Sequence, residues 1–182
     1  MEYYNYDPLN RLTSVSGNGK DVSYAYDADN LRVSKTEQGG MMVTNYAYDG
    51  SKLAYETGED TKTYVNGLRT ISYYSSMDGL NYYYHYNPHG DVEYTSIQYA
   101  NIDSTHKYSA FGVETNPSYS YGTLRYCGEQ YDAETGYIYL LNRYYDPSIG
   151  RFITEDPIKD GSNWYTYCYN NPINFWDALG LA

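Results

Sequence analysis

The sequence predicts an all-β protein, a curled strip of antiparallel, Tyr-rich hairpins ending in an irregular C-terminal segment. Three observations predict it. Tyrosine alone supplies 29 of the 182 residues, and Tyr is β-favouring, bulky and polar at its tip. Tyrosines recur at period two in Tyr24/Tyr26, Tyr46/Tyr48, Tyr82/Tyr84/Tyr86, Tyr119/Tyr121, Tyr137/Tyr139 and Tyr165/Tyr167/Tyr169, which puts each set on one face of its strand. Between them stand 16 Gly and 6 Pro, the punctuation of turns.

The turns themselves repeat. Tyr6-Asp7-Pro8-Leu9-Asn10-Arg11-Leu12 returns as Tyr26-Asp27-Ala28-Asp29-Asn30-Leu31-Arg32, and more weakly as Tyr48-Asp49-Gly50-Ser51-Lys52-Leu53. Tyr64-Val65-Asn66-Gly67-Leu68, Tyr86-Asn87-Pro88-His89-Gly90 and Tyr108-Ser109-Ala110-Phe111-Gly112 continue the series. Copies about 16 to 22 residues apart fit one hairpin, two strands plus two turns. In each, Tyr closes a strand, Asp or Asn bonds the backbone two residues on, and Asn or Gly takes the positive φ of the turn. Stacked hairpins place the rings in cross-strand ladders, and a Tyr core requires partners for its phenols. Helix is expected only in short pieces, near 103–106 or at the C-terminus. A repeat strip has open edges that favour self-association, and a repeat series without an atypical start is expected to continue a longer chain.

Charge and cysteines narrow the function. The net charge of −11, with 12 basic against 23 acidic residues, disfavours binding to nucleic acid or an anionic membrane, which needs Lys/Arg patches. The acidity serves solubility or a basic partner; composition does not choose. Cys127 and Cys168 are too few for a disulfide framework and form no CxxC pair; they read as unpaired thiols. No apolar run reaches the ~18 residues of a membrane helix, and Met1-Glu2-Tyr3-Tyr4-Asn5 opens no signal peptide.

The texture changes at Leu124, dividing the chain into a hairpin strip over 1–123 and a closing unit over 124–182. Within the latter, 131–136 reads as a turn, 137–143 as a strand, 146–150 as a tight turn, 151–154 as a short strand and 163–169 as a further strand. Arg143-Tyr144-Tyr145-Asp146-Pro147 through Gly150-Arg151-Phe152 closely resembles the core domain associated with Rhs repeats, and the upstream copies resemble the YD repeats of that family. The resemblance implies a β strip that spirals into a hollow shell sheltering a C-terminal toxin, with the core end as plug. It implies an upstream Rhs shell and a C-terminal toxin domain as partners within one longer polypeptide, exported to the cell surface or secreted. Pro172-Ile173-Asn174-Phe175-Trp176-Asp177-Ala178-Leu179-Gly180-Leu181 resembles the family's PxxxxDPxGL cleavage motif, with Ala178 where Pro is usual. The implied scissile bond is Leu181–Ala182 and the implied catalytic carboxylates are Asp156 and Asp177, working once as an aspartic-type autoprotease. Asp156-Pro157-Ile158-Lys159-Asp160-Gly161 lacks the usual Gly at position 159.

A carboxylate pair sharing a proton activates water and protonates a leaving amide; Asp-Pro at 7, 146 and 156 equally starts turns. His85 and His89 flank a turn and read as structural, so no metal and no cofactor is assigned. Asp27-Ala28-Asp29-Asn30 lacks the glutamate of a calcium loop. His106 has no evident Ser or Cys partner in sequence. Two other functions stay open: a cell-surface module binding carbohydrate or a protein partner through its aromatic faces, and an inactive orphan Rhs core fragment.

Overall fold

The computed structural model describes residues 1–116, 122–159 and 161–181. Its strands form two antiparallel sheets. Eleven lie side by side in sequence order: β1 (Tyr3–Tyr6), β2 (Leu12–Gly17), β3 (Lys20–Tyr26), β4 (Arg32–Glu37), β5 (Met42–Asp49), β6 (Lys52–Thr57), β7 (Lys62–Asn66), β8 (Thr70–Ser75), β9 (Asn81–Tyr86), β10 (Val92–Ser96) and β11 (Ile102–Thr105). The second sheet holds four, β12 (Gln130–Asp132), β13 (Tyr137–Leu140), β14 (Arg143–Asp146) and β15 (Arg151–Phe152). The large sheet is an open, curled strip.

Period two decides which face is dry. Tyr73 is 0% exposed and its neighbour Tyr74 44%; Tyr82 is 3% exposed and Tyr83 40%. Tyr64, Tyr73 and Tyr82 are direct cross-strand partners, with ring centroids 5.8 and 4.7 Å apart, the expected ladder. Each such pair adds about 0.5–1.5 kcal/mol beyond its buried area. Several phenols cap backbone carbonyls, Tyr26 on Leu12 (2.6 Å) and Tyr86 on Thr70 (2.7 Å). Tyr73 and Tyr108 depart from the expectation: their buried hydroxyls have no hydrogen-bond partner among the described residues.

One five-residue loop closes hairpin after hairpin. Its first N–H donates to the fifth carbonyl, its fourth N–H donates back to the first carbonyl, and its fourth residue has positive φ. Residues 7–11, 27–31, 87–91, 109–113 and 125–129 all form it, with Asn10, Asn30, Gly90, Gly112 and Gly128 at the left-handed position. In the first two, Oδ1 of the leading Asp accepts the N–H groups two and four residues on: Leu9 and Arg11 at 2.9 and 3.0 Å, Asp29 and Leu31 at 2.9 Å each.

The small sheet packs against the dry face of the strip. Leu12, Val15, Val22 and Tyr24 of β2 and β3 share a core with Tyr137, Tyr139 and Tyr144 of β13 and β14. Arg32, fully buried at the start of β4, pins the contact. It bonds Asp132 Oδ2 at 2.6 Å, the Tyr144 hydroxyl at 3.0 Å and Gln130 Oε1 at 3.0 Å, and lies 4.4 and 4.6 Å from the Tyr46 and Tyr139 ring centroids. Burial opposes its charge, but Asp132 and the surrounding phenols outweigh burial and raise its pKa.

Four local expectations change. Residues 103–105 lie in β11, not a helix. The 137–143 strand is two strands: a γ-turn at Leu141 (φ 59) sends the chain back, Asn142 N–H donating to the Leu140 carbonyl at 2.7 Å. The short strand read over 151–154 is confined to Arg151–Phe152, followed by one more bond to β14 from the Ile153 N–H to the Tyr144 carbonyl at 3.0 Å. Residues 163–169 make one isolated bridge, Thr166 with Arg151, and then a 3-10 turn, Cys168–Asn170. Left-handed φ at Cys168, Tyr169 and Asn170 breaks the alternation after Tyr167, which is buried while Tyr169 is exposed; Tyr165, ahead of the break, is exposed as well. Both cysteines are unpaired. Tyr119/Tyr121, Asp160 and Ala182 lie outside the described residues.

Candidate autocleavage site

The 177–181 segment shares the aspartate bonds and the left-handed fourth position of the repeat's turn. Asp177 Oδ1 accepts the N–H of Leu179 at 3.3 Å and of Leu181 at 3.0 Å, the same bonds that Asp7 and Asp27 make. Gly180 (φ 66) takes the left-handed fourth position. The sequence carried the signal, since Asp177-Ala178-Leu179-Gly180-Leu181 aligns with Asp7-Pro8-Leu9-Asn10-Arg11, with Pro8 at the place of Ala178.

This turn docks on the β13–β14 reversal. Asn142 donates to the Leu179 carbonyl through its backbone N–H (3.3 Å) and its Nδ2 (2.9 Å). A Cβ on Gly180 would meet the Leu140 carbonyl oxygen at 2.5 Å, so only glycine lets the backbones approach. Arg143 Nε donates to the Gly180 carbonyl, and its Nη1 to the Trp164 carbonyl at 2.9 Å. Its guanidinium carbon sits 3.5 Å from the Phe152 ring centroid. A γ-turn with positive φ at a leucine is a strained, rare conformation; here it presents the donors that hold the chain end.

Asp156 and Asp177 are both buried, and both act on Arg143. Burial lowers the pKa of that guanidinium, and the two carboxylates work against the shift, Asp156 more than Asp177. Arg143 Nη2 is 3.7 Å from Asp177 Oδ2. Asp156 also starts a turn, its Oδ1 accepting the Ile158 N–H at 2.8 Å. It lines an open groove of about 610 Å³ with Tyr6, Thr154 and Tyr165. Lys159, at the position of the usual Gly, adopts φ 57. Leu181 is thus placed against Asp177.

Two residues of this region were not singled out from sequence. Arg143 was quoted only as part of the family motif. Glu129 lies at the wall of a second pocket of about 270 Å³, lined also by Arg69, His89, Cys127, Trp176 and Leu179. Burial, then the nearby Asp177 carboxylate, push its pKa up to about 8 against the pull of Arg69. Its signal was faint: one Glu at the last position of the 125–129 turn, just ahead of β12.

His106 does have a serine. Its Nε2 faces Ser104 Oγ at 3.0 Å and its Nδ1 faces Glu114 Oε1 at 2.5 Å. Ser104 and His106 are buried, and Ser104 bonds Thr95 Oγ1 at 2.7 Å. With no cavity reaching that hydroxyl among the described pockets, the trio satisfies its own buried polar groups. His85 stacks on Tyr94 at 4.1 Å and bonds Ser96 Oγ at 2.8 Å, a structural role.

Comparison with known proteins agrees with this architecture. The family model described as RHS Repeat matches residues 6–40. The tRNA(Glu)-specific nuclease WapA of Bacillus subtilis subsp. natto is 40% identical over 195 residues, covering 97% of this chain and 8% of the relative. The tRNA3(Ser)-specific nuclease WapA of Bacillus spizizenii is 38% identical over 197 residues, with the same coverage. The crystal structure of TcdB2-TccC3-Cdc42 matches with a TM-score of 0.81 at 23% identity, over 99% of this chain and 10% of that one. The chain therefore spans about a twelfth of the length of these curated relatives. With the YD turn repeated along an open Tyr-rich strip and the RHS Repeat model matching its first hairpins, the chain is an Rhs/YD-repeat protein.

Proposed function

We propose that this chain is the closing segment of a longer Rhs shell, with residues 124–182 as the plug, and that it cuts itself after Leu181 to separate the shell from a C-terminal toxin. The observation that carries the reading is the docking of the 177–181 turn onto Asn142 and Arg143, with both candidate carboxylates acting on Arg143. A turn so held fixes Leu181, the residue on the described side of the bond to be cut, and fixing the reacting group is what positions a substrate for attack. The nuclease names of the Bacillus relatives, in which this stretch is a small part, support a toxin cargo, and membership of the Rhs family supports an exported, surface or secreted, whole protein. In that longer chain the outer edge of β1 pairs with a preceding strand; left open, it drives self-association.

The chemistry follows from two carboxyl groups and one water. One carboxylate takes a proton from water as its oxygen adds to the Leu181 carbonyl carbon. The other carboxyl donates its proton to that carbonyl oxygen. On collapse the first carboxyl gives the proton it took from water to the amide nitrogen as the C–N bond to Ala182 breaks, and the second carboxylate takes back a hydroxyl proton, leaving a carboxyl group on Leu181 and an amine on the released chain. Arg143 is a positioning residue here, holding Gly180 and one positive charge beside the pair.

The test fuses a reporter after position 182 to the protein carrying its native upstream repeats, with products weighed by mass spectrometry. Cleavage at Leu181–Ala182 is expected. It is lost in Asp156→Asn and in Asp177→Asn, with no further loss in the double variant, because the two act as a unit. An intact wild-type fusion, or cleavage that survives both substitutions, overturns the reading.

A further inference from the structure

Beside the docked chain end, three side chains from two turns meet in a way that hairpin closure does not require. His89 and Asp91 come from the β9–β10 turn, and Cys127 from the turn ahead of β12. His89 Nδ1, an Asp91 carboxylate oxygen and Cys127 Sγ all lie within 4.8 Å of one another. Nδ1 is 2.9 Å from Asp91 Oδ1 and 3.9 Å from Cys127 Sγ. For tetrahedral zinc with bonds of about 2.0–2.3 Å, donors sit roughly 3.3–3.8 Å apart, so Nδ1 and Oδ1 must part slightly and the widest pair close by up to about 1 Å.

The other nitrogen of the ring removes an ambiguity. His89 Nε2 is 2.6 Å from the Pro172 carbonyl oxygen, which only accepts, so Nε2 carries the hydrogen. A neutral ring then points its Nδ1 lone pair at Asp91 Oδ1. Two acceptors at that distance need a proton or a cation between them. A histidine held through its far N–H by a carbonyl, with its lone pair turned toward a carboxylate and a thiol, is the arrangement of a metal ligand and its outer support. Asp91 is supported likewise, its Oδ2 accepting from Asn87 Nδ2 at 2.8 Å and its Oδ1 from the Cys127 N–H at 2.9 Å. His89 and Cys127 also line the 270 Å³ pocket, which supplies an entry path and room for water as a fourth ligand.

We propose that His89 Nδ1, Asp91 and Cys127 Sγ form a binding site for a zinc-class divalent cation, with one open position facing the pocket. One nitrogen, one oxygen and one sulfur donor favour zinc or cobalt over calcium or magnesium, which take oxygen alone. Binding replaces the thiol hydrogen by the ion, and that proton leaves to solvent. Because Pro172 holds the ligating ring, the ion tightens the junction between the strip and the segment leading to Asp177.

The experiment titrates the chelator-treated full chain with Co²⁺ and then displaces it with Zn²⁺. The expected result is one Co²⁺ per chain with a thiolate-to-cobalt charge-transfer band, bleached by Zn²⁺. The band is absent in Cys127→Ser and retained in Cys168→Ser, and affinity falls at least about tenfold in His89→Gln. Circular dichroism of each variant confirms folding, and thermal melts with and without Zn²⁺ give a second readout: a rise in the wild-type melt that Cys127→Ser lacks. No band in the folded wild type, a band that survives Cys127→Ser, or no Zn²⁺-dependent rise overturns the proposal and leaves a proton between His89 and Asp91. This readout is independent of chain cleavage.

Discussion

Arg143 Nε donates to the carbonyl oxygen of Gly180, 37 residues further along the chain, at 2.5 Å. That bond joins the strained β13–β14 reversal to the turn that ends at Leu181. Gly180→Ala places a Cβ 2.5 Å from the Leu140 carbonyl and asks alanine to hold φ 66, at a cost of about 1–2 kcal/mol for the backbone alone. The turn should undock. Hydrogen exchange should rise at Leu179 and Leu181 but not in the Tyr64–Tyr73–Tyr82 ladder, and reporter release should fall as in the aspartate variants.

Arg32 and Asp132 should behave as a unit. Truncating Arg32 to Met leaves a buried carboxylate short of its main partner, expected to cost about 3–5 kcal/mol in chemical denaturation. The double variant Arg32→Met, Asp132→Leu should cost less than the sum of the two singles. Lys35, 4.0 Å from Asp132 and 2.8 Å from Glu134, limits the recovery. Additive losses would mean the pair is not the clamp described.

Glu129 gives the protein a pH slope of known sign. Its carboxyl is pushed from 4.5 up to about 8 in the folded state, so the native chain keeps a proton that the unfolded chain has released. The stability it contributes is full below 4.5 and is lost as pH rises through about 8. Glu129→Gln should flatten that slope and raise stability at about pH 9 by on the order of 2 kcal/mol, discounted because the adjoining pocket admits water. Urea midpoints at low and high pH measure it; equal slopes for the two proteins would refute it.

Two substitutions should firm the turns around the chain end. Lys159 holds φ 57, and Lys159→Gly should relieve about 1 kcal/mol. Ala178 stands where Pro8 stands in the first turn, and Ala178→Pro should add about 0.4–1 kcal/mol by stiffening the unfolded chain. Both should speed or leave unchanged the release of a reporter. A destabilised melt for Ala178→Pro would show that residue 178 has a backbone unlike that of Pro8.

Much of this was legible in the residues. Alternating tyrosines announced strands, and Asp-x-x-Asn and Asn-x-x-Gly announced the loop that closes them, because both patterns are local. The reversal at Leu141 was not, since leucine seldom takes positive φ and the conformation depends on Asn142 finding Leu179. Nor was the 163–169 segment, where left-handed residues override an alternating pattern. Arg32 with Asp132, Arg143 with Asp177, and His89 with Cys127 are long-range meetings that no spacing encodes. The turn at 177–181 was visible in its alignment with 7–11 but masked by its likeness to a cleavage signature.

In the strip each strand bonds only to the strands before and after it in the chain. Its length is therefore counted rather than measured. Adding or removing a whole hairpin leaves both flanking registers and the dry tyrosine face intact. Adding a single strand between β4 and β11 reverses the direction of everything downstream and turns Asp132 and Tyr144 away from Arg32. Such a ribbon can grow only in even steps, and its closing end fits only where the parity is right.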